Sequence, residues 1–206
     1  MAIRITPGDV VLIVGPRGSG KSVLATYLAR GWDRLVVYEP KGEPASWPPN
    51  SAVVRTADEA ARALPGRVVY VPSRADQADL PGAWDRIMAR LWDLGGHHGV
   101  IVHETQDVAP AQGTRAAFSQ VIRQGRYPRR IPVVLITQRP AWISRLALSE
   151  PAHVFLFGLR NPDDLRTMAG VMDAPAQQLR LPATPHAFYY RGPTGPPRLM
   201  APLRIE

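Results

Sequence analysis

A glycine-rich octapeptide near the N-terminus constrains the fold of this chain more than any other feature. Residues 15–22 read GPRGSGKS and match the pattern G-x-x-x-x-G-K-[ST] of a phosphate-binding loop. The run before it, residues 10–14, is wholly apolar, as in a strand buried on both faces. The segment after it, residues 22–30, carries apolar residues at helical spacing. Strand, loop and helix therefore follow in the order that this motif requires.

The chemistry of the loop predicts what its residues bind. Glycines let the backbone turn its N–H groups towards an anion, at a helix N-terminus whose dipole also favours negative charge. Lys21 is expected to reach the β- and γ-phosphates of ATP, and the Ser22 hydroxyl is expected to hold Mg²⁺. The predicted nucleotide-binding residues are Gly15, Pro16, Arg17, Gly18, Ser19, Gly20, Lys21 and Ser22.

Length and composition bound the class of protein. A chain of 206 residues favours one domain with a large core. No apolar run approaches the roughly eighteen residues of a membrane span, and the N-terminus has no signal-peptide pattern. The sequence has no cysteine, which excludes disulfides and thiolate metal sites. Together these features predict a cytoplasmic site of action.

The charge of the chain predicts a polyanionic partner. A net charge of +8 and a pI of about 10.5 most simply indicate nucleic acid, although basic surface can also serve solubility. Nearly all the basic residues are arginines, and only Lys21 and Lys41 are lysines. An ammonium is a compact point charge, which a phosphate-binding loop needs. Lys41 is therefore a second candidate functional residue.

Lys41 follows a second apolar strand, residues 35–39, in a turn that also contains Glu39. Acidic groups at the carboxyl ends of strands line the ligand crevice of open α/β sheets. Two interpretations follow for Glu39 and Lys41. Either they lie near the nucleotide or a neighbouring subunit, or they form an ion pair on a surface turn.

A later apolar strand, from residue 99, ends in His103 and Glu104, an arrangement typical of the Walker B motif. That motif usually ends in two acids, the first serving Mg²⁺ and the second the attacking water. Here His103 takes the first position, and imidazole is a poor ligand for a hard cation. The sequence therefore departs from the pattern at the metal side.

Two assignments of Glu104 remain open. In the first, Glu104 is the catalytic base, and the metal is held by Ser22, the phosphates and water. In the second, Glu104 is the metal-side acid, and Gln106 or Asp107 orients the water. Mg²⁺ commonly keeps several waters, which favours the first assignment.

A basic segment and a polar strand end come next. Residues 123–130 read RQGRYPRR, with four arginines that would contact DNA phosphates, reach a neighbour's nucleotide, or remain solvated. The apolar strand over residues 131–138 ends in Thr137 and Gln138. If this strand neighbours the Walker B strand, Gln138 would hydrogen-bond the γ-phosphate or the attacking water.

Capping signals and periodicity predict the remaining elements. Helices are expected over residues 58–64, 81–94, 114–124 and 141–148, with Thr56 capping the first. Asn161 is expected to cap a further helix that has Pro162 at its first position. Residues 186–191 and 198–200 are expected to form a final hairpin.

Five stretches in order resemble the FtsK–HerA superfamily of DNA-pumping P-loop ATPases. They are residues 15–22, 36–43, 100–107, 123–140 and 155–165. The most specific part is the strand ending in TQRP, followed by an apolar strand and an Arg-x-x-Asp segment. The resemblance covers about residues 8–170. Among these proteins, the chain looks like the short, single-domain genome-packaging ATPases of tailless, often membrane-containing viruses.

The resemblance implies an α/β fold of the RecA-like (ASCE) type, a mainly parallel central sheet flanked by helices, here with the C-terminal hairpin. It implies one domain over 1–206, with the motor core at about 8–170 and an extension at about 171–206. The matching catalytic positions are Lys21, Glu104 and Gln138, with Ser22 and Glu104 on the metal side. A finger arginine offered to the next subunit matches Arg126 first and Arg123 second.

The resemblance also implies partners: ATP, Mg²⁺, and double-stranded DNA threading a homo-oligomeric ring of roughly five or six subunits. Capsid or inner-membrane proteins of a virion are further expected partners, in the host cytoplasm or at a packaging vertex. A small-molecule kinase is the weakest alternative, because the sequence offers no clear lid or acceptor site. Two stronger alternatives remain. One is a conjugation, secretion or filamentous-phage morphogenesis ATPase, which commonly carries a membrane segment. The other is a nucleotide-binding switch with little hydrolysis, which His103 supports.

Overall fold

The computed structural model describes residues 3, 5–43 and 47–203. In these ranges it contains nine strands and six α-helices. The strands are β1 (Val10–Val14), β2 (Leu35–Tyr38), β3 (Ala52–Val54), β4 (Arg67–Tyr70), β5 (Gly99–Val102), β6 (Val133–Thr137), β7 (His153–Leu156), β8 (Phe188–Arg191) and β9 (Arg198–Met200). The helices are α1 (Lys21–Leu28), α2 (Ala57–Ala63), α3 (Leu80–Leu94), α4 (Ala116–Gln124), α5 (Arg145–Ser149) and α6 (Pro162–Met172).

All nine described strands form one sheet, in the order β3-β4-β2-β5-β6-β1-β7-β8-β9. The seven strands from β3 to β7 run parallel, whereas β8 and β9 are antiparallel. The predicted α/β fold with a mainly parallel sheet and a C-terminal hairpin is therefore confirmed. The sequence did not predict where the hairpin packs. In the structure β8 pairs with β7, so the hairpin extends the main sheet.

Helices cover both faces of the sheet, which explains why its central strands are apolar throughout. In β1, Val11 and Ile13 belong to the core shared with α1. Val10, Leu12 and Val14 belong to the opposite core, which the helices α2 to α6 complete. Every residue of β1 is at most 6% exposed. The strand is thus fixed on both faces, and so is the loop that follows it.

Several predicted helix ends differ from those observed. α1 ends at Leu28 rather than residue 30, because the chain turns before it re-enters the sheet at Leu35. α4 begins at Ala116 rather than residue 114, and the Thr114 hydroxyl donates to Ser144 Oγ at 2.8 Å. The segment predicted as a helix over 141–148 is divided. A 3₁₀ turn, Pro140–Trp142, precedes α5, which Ser144 caps.

Other predicted signals are confirmed. Thr56 caps α2 by accepting from the Glu59 backbone N–H at 3.2 Å, and the Glu59 carboxylate accepts from the Thr56 N–H in return. Asn161 Oδ1 accepts from the first backbone N–H groups of α6. No helix in the described ranges is both long and apolar enough to cross a bilayer.

The capping box of α2 gives a test of the fold. Thr56→Ala is expected to lower the free energy of unfolding by about 1 kcal/mol, because a backbone N–H of the first turn loses its acceptor. The measurement is the midpoint of urea unfolding by circular dichroism. The exposed Thr194, in the turn before β9, provides the control, and Thr194→Ala should leave the midpoint unchanged. Equal midpoints for both variants would contradict a stabilising cap at Thr56.

Candidate nucleotide-binding site

The loop between β1 and α1 depends on glycine at two positions. Gly20 precedes α1 with φ +100°, a left-handed conformation that favours glycine. A side chain at Gly15 would meet Phe157 Cβ and Ser19 Oγ within 2.8 Å. The sequence motif therefore corresponds to a loop whose backbone wraps tightly ahead of the helix N-terminus. Such a geometry directs N–H groups at an anion.

Lys21 begins α1 and is 8% exposed. Its Nζ donates to the Pro16 carbonyl oxygen at 2.7 Å, so the side chain curls back over the loop. Burial lowers the pKa of Lys21 to about 8; the nearby Glu104 carboxylate opposes this shift and the Lys41 ammonium adds to it. The ammonium is therefore held where a bound phosphate would stabilise its charged form.

Glu104 follows β5 with a left-handed backbone, φ 54° and ψ 63°. Its carboxylate accepts from Gln138 Nε2 at 2.7 Å and from Gln106 Nε2 at 3.0 Å, and it forms an ion pair with Lys41. Burial works to raise the pKa of Glu104. The hydrogen bonds from Gln106, Lys41 and Gln138 outweigh it, so the pKa lies below its usual value. The carboxylate is therefore ionised at neutral pH.

Two interpretations of the turn around Lys41 were a position near the nucleotide and an ion pair on the surface, and the structure combines features of both. Lys41 does form an ion pair, yet its partner is Glu104, beside the loop. The turn is fixed by a hydrogen bond from the Lys41 backbone N–H to Glu39 Oε1 at 3.0 Å. The Lys41 side chain remains 47% exposed, whereas that of Glu104 is only 14% exposed. Lys41 therefore covers the carboxylate from the solvent side.

His103, at the first Walker B position, is buried next to another acid. Its Nδ1 lies 3.7 Å from Glu39 Oε2, and both side chains are almost fully enclosed. Burial lowers the pKa of His103, and the Glu39 and Glu104 carboxylates oppose that shift without overcoming it. His103 is therefore a neutral imidazole at neutral pH. The buried carboxylate beside this Walker B position is therefore that of Glu39, which follows β2, and not one at the end of β5.

Neighbouring residues hold the donors of Glu104 in place. Thr137 Oγ1 donates to Gln106 Oε1 at 3.0 Å, which orients the amide nitrogen of Gln106 towards the carboxylate. Asp107, by contrast, accepts from Tyr38 Oη at 3.0 Å. Burial raises the pKa of Asp107, although the bond from Tyr38 opposes this. Of the two residues proposed to orient water, Gln106 is the one in contact with Glu104.

The end of β6 is tied to α6 through the TQRP stretch. Arg139 Nε donates to Asp164 Oδ2 at 2.9 Å, and Asp164 Oδ1 accepts from the Ala141 backbone N–H at 3.1 Å. The Arg139 backbone N–H donates to Thr137 Oγ1 at 3.0 Å. These bonds fix the backbone on both sides of Gln138. The position of its amide beside Glu104 is thus built into the fold.

The two candidate finger arginines lie away from the loop of their own chain. Arg126 Nη2 is 3.5 Å from Asp9 Oδ1, and Asp9 precedes β1, at the opposite end of that strand from the loop. Arg123 is exposed in the last turn of α4. The structure therefore brings together Lys21, Glu104 and Gln138, and it leaves both arginines near the amino-terminal ends of the parallel strands, away from the loop.

The residues around the loop suit a cation that also binds phosphate. Ser22, Glu39 and Glu104 line one pocket and offer a hydroxyl and two carboxylates, oxygen ligands that Mg²⁺ prefers. In the described ranges no group of three or more His, Cys, Asp or Glu side chains could hold a metal alone. A cation here would depend on oxygens of the nucleotide, as Mg²⁺ commonly does.

Sequence reasoning missed one buried network, at the other end of β1. Asp9, His153 and Tyr190 are enclosed there, with His153 Nδ1 2.8 Å from Tyr190 Oη and Nε2 3.3 Å from Asp9 Oδ2. These residues are too far apart in the chain for any local pattern to connect them. The network joins β1, β7 and β8, and it carries the contact with Arg126.

Fold and site together define a class: a P-loop nucleoside triphosphatase domain. A comparison with known proteins agrees with this class. The chain is 29% identical, over 137 residues, to the DNA packaging ATPase P9 of Enterobacteria phage PRD1. The aligned part covers 61% of this chain and 56% of that protein. No protein-family model matches the chain.

Solved structures agree in fold. The genome packaging NTPase B204 of Sulfolobus turreted icosahedral virus 2, in complex with ATP-gammaS, superposes with a TM-score of 0.74 at 16% identity. That match covers 96% of this chain and 99% of B204. VirB4 of Thermoanaerobacter pseudethanolicus gives 0.66 at 11% identity, covering 95% and 89%. The similarity to P9 confirms the predicted resemblance to viral genome-packaging ATPases, and the solved structures confirm the predicted fold.

The lowered pKa of Lys21 gives a test of the loop. A bound triphosphate stabilises the charged form of Lys21. Binding of MgATP at pH 9 is therefore expected to be accompanied by uptake of most of one proton, whereas binding at pH 6.5 should take up almost none. Affinity should fall as pH rises through about 8, where the folded chain begins to lose this proton. Isothermal titration calorimetry in buffers of different ionisation enthalpy measures both quantities.

The control for this test is Lys21→Arg, because a guanidinium keeps its charge at pH 9. Where this variant binds MgATP, its binding should take up no proton at that pH. Proton uptake at pH 9 that is the same for both proteins would show that another group titrates.

Proposed function

We propose that this chain is an ATP-hydrolysing motor that packages double-stranded DNA of a virus. The observation that carries the proposal is the carboxylate of Glu104, held by Gln138 at 2.7 Å in the pocket that Lys21 and Ser22 also line. Sequence similarity to the DNA packaging ATPase P9 supports the biological task. The net charge of +8 is consistent with a partner gripped through its phosphates, without readout of base sequence.

In this mechanism a triphosphate displaces the Pro16 carbonyl as the partner of Lys21. The ammonium then neutralises charge on the β- and γ-phosphates as the phosphoryl group transfers. Mg²⁺, held through Ser22 and the phosphates, would neutralise developing charge on the same oxygens. Glu104 acts as the general base and takes the proton of the attacking water. Gln138 donates to this carboxylate and would also hydrogen-bond that water.

Lys41 adds a step to this mechanism. In the structure its ammonium covers the carboxylate that must accept a proton. The γ-phosphate of bound ATP is a second anion close to Lys41 and competes for the ammonium. Movement of the half-exposed Lys41 side chain towards the phosphate would uncover Glu104. Base activation would then follow nucleotide binding, and the two functional lysines would share one triphosphate.

Assembly would complete the site. Arg126, or else Arg123, would reach the nucleotide of an adjacent subunit in a homo-oligomeric ring of about five or six copies. Both arginines are exposed at the end of the parallel strands opposite the loop, where a neighbour can approach. Capsid or inner-membrane proteins of the virion would dock such a ring at a packaging vertex, from the host cytoplasm.

A second candidate function is a nucleotide-dependent switch with little hydrolysis. It is favoured by His103, a neutral imidazole where an acid usually assists the metal. In that case ATP binding alone would change the contacts of Lys41 and the state of the assembly. The motor is the stronger proposal because Glu39 supplies a buried carboxylate beside His103.

The first functional test is Glu104→Gln. Loss of a general base is expected to lower the ATPase rate by about 10²- to 10⁴-fold. MgATP affinity should be kept or increased, because a negative charge beside the triphosphate is removed. Steady-state ATPase rates, measured against protein concentration with and without double-stranded DNA, provide the check. Glu150→Gln, which makes the same change at the exposed end of α5, should match the parent.

The outcome separates the candidates. If the parent binds MgATP but hydrolyses none with DNA at any concentration, the motor proposal fails and the switch is favoured. If Glu104→Gln instead raises the Mg²⁺ concentration that ATP binding requires, Glu104 is the metal-side acid.

A mixing experiment tests the finger. Arg126→Ala and Glu104→Gln are each expected to be inactive, yet their mixture should recover ATPase activity. In mixed rings, the Arg126→Ala subunit keeps its own base and receives an intact arginine from its neighbour. Arg90→Ala, an exposed change on α3, is the control and should remain active alone. If the Arg126→Ala mixture is inactive and one with Arg123→Ala recovers, the finger is Arg123.

A further inference from the structure

An apolar pocket opens beside the phosphate-binding loop, on the side away from Glu104. The loop and α1 contribute Ser19, Gly20 and Val23 to its lining. The rest of the lining includes Phe157, which follows β7, and the C-terminal residues His186 and Phe188. In the sheet, β7 and β8 lie on one side of β1, and β5 and β6 on the other. The pocket and the catalytic carboxylate therefore flank the loop on opposite sides.

The shape of this pocket suits a flat aromatic group. Phe188 is fully buried and Phe157 nearly so, and their rings pack with centroids 5.4 Å apart to form an apolar floor. Val23, in the first turn of α1, is 55% exposed although it is a large apolar side chain. His186 is exposed at the rim, and its Nδ1 lies 3.2 Å from the Ser19 carbonyl oxygen. The imidazole is thus fastened directly to the loop.

We propose that this pocket receives the base of the bound nucleotide, which stacks on His186 and covers Val23, and that it takes adenine and guanine with nearly equal affinity. The inference rests on the proposed function, because it requires a triphosphate in the loop. With the γ-phosphate near Glu104, the α-phosphate and nucleoside extend towards the other side of the loop. The apolar pocket begins there, next to Val23.

The chemistry of the lining predicts the weak selectivity between purines. Sites that hydrogen-bond a polar substituent discriminate by orders of magnitude, whereas apolar sites discriminate weakly. The Ser19 hydroxyl is buried in the loop, and the Ser19 carbonyl already faces His186. Among the described lining residues, the imidazole is then the one polar side chain offered to the base. Because stacking on the imidazole uses the π-face that every base has, it suits adenine and guanine alike.

The test compares the affinities of MgATP, MgGTP and magnesium tripolyphosphate for the full chain by titration calorimetry. In the parent, MgATP and MgGTP should bind within about threefold of each other. His186→Ala should weaken both by about 10-fold, the scale of one base-stacking contact, and leave tripolyphosphate unchanged. His97→Ala is a matched control, since His97 is also exposed, also at positive φ, and lies before β5, at the end of the parallel strands opposite the loop.

A second measurement does not depend on the variants folding. Diethyl pyrocarbonate acylates exposed imidazoles, and the extent of reaction at each histidine can be read by mass spectrometry of peptides. MgATP should protect His186 in the parent, tripolyphosphate should not, and His97 should react equally in every sample. Protection of His186 by tripolyphosphate alone would overturn the stacking contact.

The outcomes distinguish this inference from the proposed function. If tripolyphosphate and MgATP bind equally tightly, and His186→Ala changes neither, the loop binds phosphates and the base pocket is refuted. An MgATP preference over MgGTP of more than 100-fold would refute the predicted tolerance. If no triphosphate binds at all, the proposed function itself fails.

Discussion

The central strand β1 is the constraint on which the site depends. It is hydrogen-bonded in parallel to β6 on one side and β7 on the other, and both of its faces are buried. The register sets Val14 opposite Thr137 and Leu156, so three strands end at one level. The loop, the Gln138 amide and the floor of the apolar pocket all follow from those ends. A slip of one residue in this register would turn every side chain of the strand to the other face.

Charge balance within the site depends on a small set of opposed groups. Glu104 would be hard to keep ionised at its depth without donors, and it has three, of which only Lys41 carries charge. Lys21 is in the complementary situation, a buried ammonium whose partner is a backbone carbonyl. Lys21 is stabilised less well by this carbonyl than it would be by a bound triphosphate. The resting site is therefore prepared for an anion in its electrostatics as well as its shape.

The motifs predicted the parts of the site that local chemistry defines, and they could not predict contacts between distant segments. The loop, the α/β fold and the neighbouring positions of Glu104 and Gln138 follow from patterns at the ends of apolar strands. The catalytic roles of these residues remain predictions. The pairing of Lys41 with Glu104 could not be predicted from the sequence. It depends on β2 lying beside β5, and the local sequence of neither strand indicates that order. The helix ends differed where tertiary bonds replaced local capping, as at Thr114 and Ser144.

The two edges of the sheet limit how copies of this chain can associate. The edge strands β3 and β9 each have three residues, and the paired prolines Pro48–Pro49 and Pro196–Pro197 precede them. Proline has no N–H to donate, and a short edge strand offers few backbone groups for pairing with a strand of another chain. Neighbouring copies therefore cannot readily merge their sheets into a continuous ribbon. Any contact between copies would then use side chains and loops, and each sheet would stay intact.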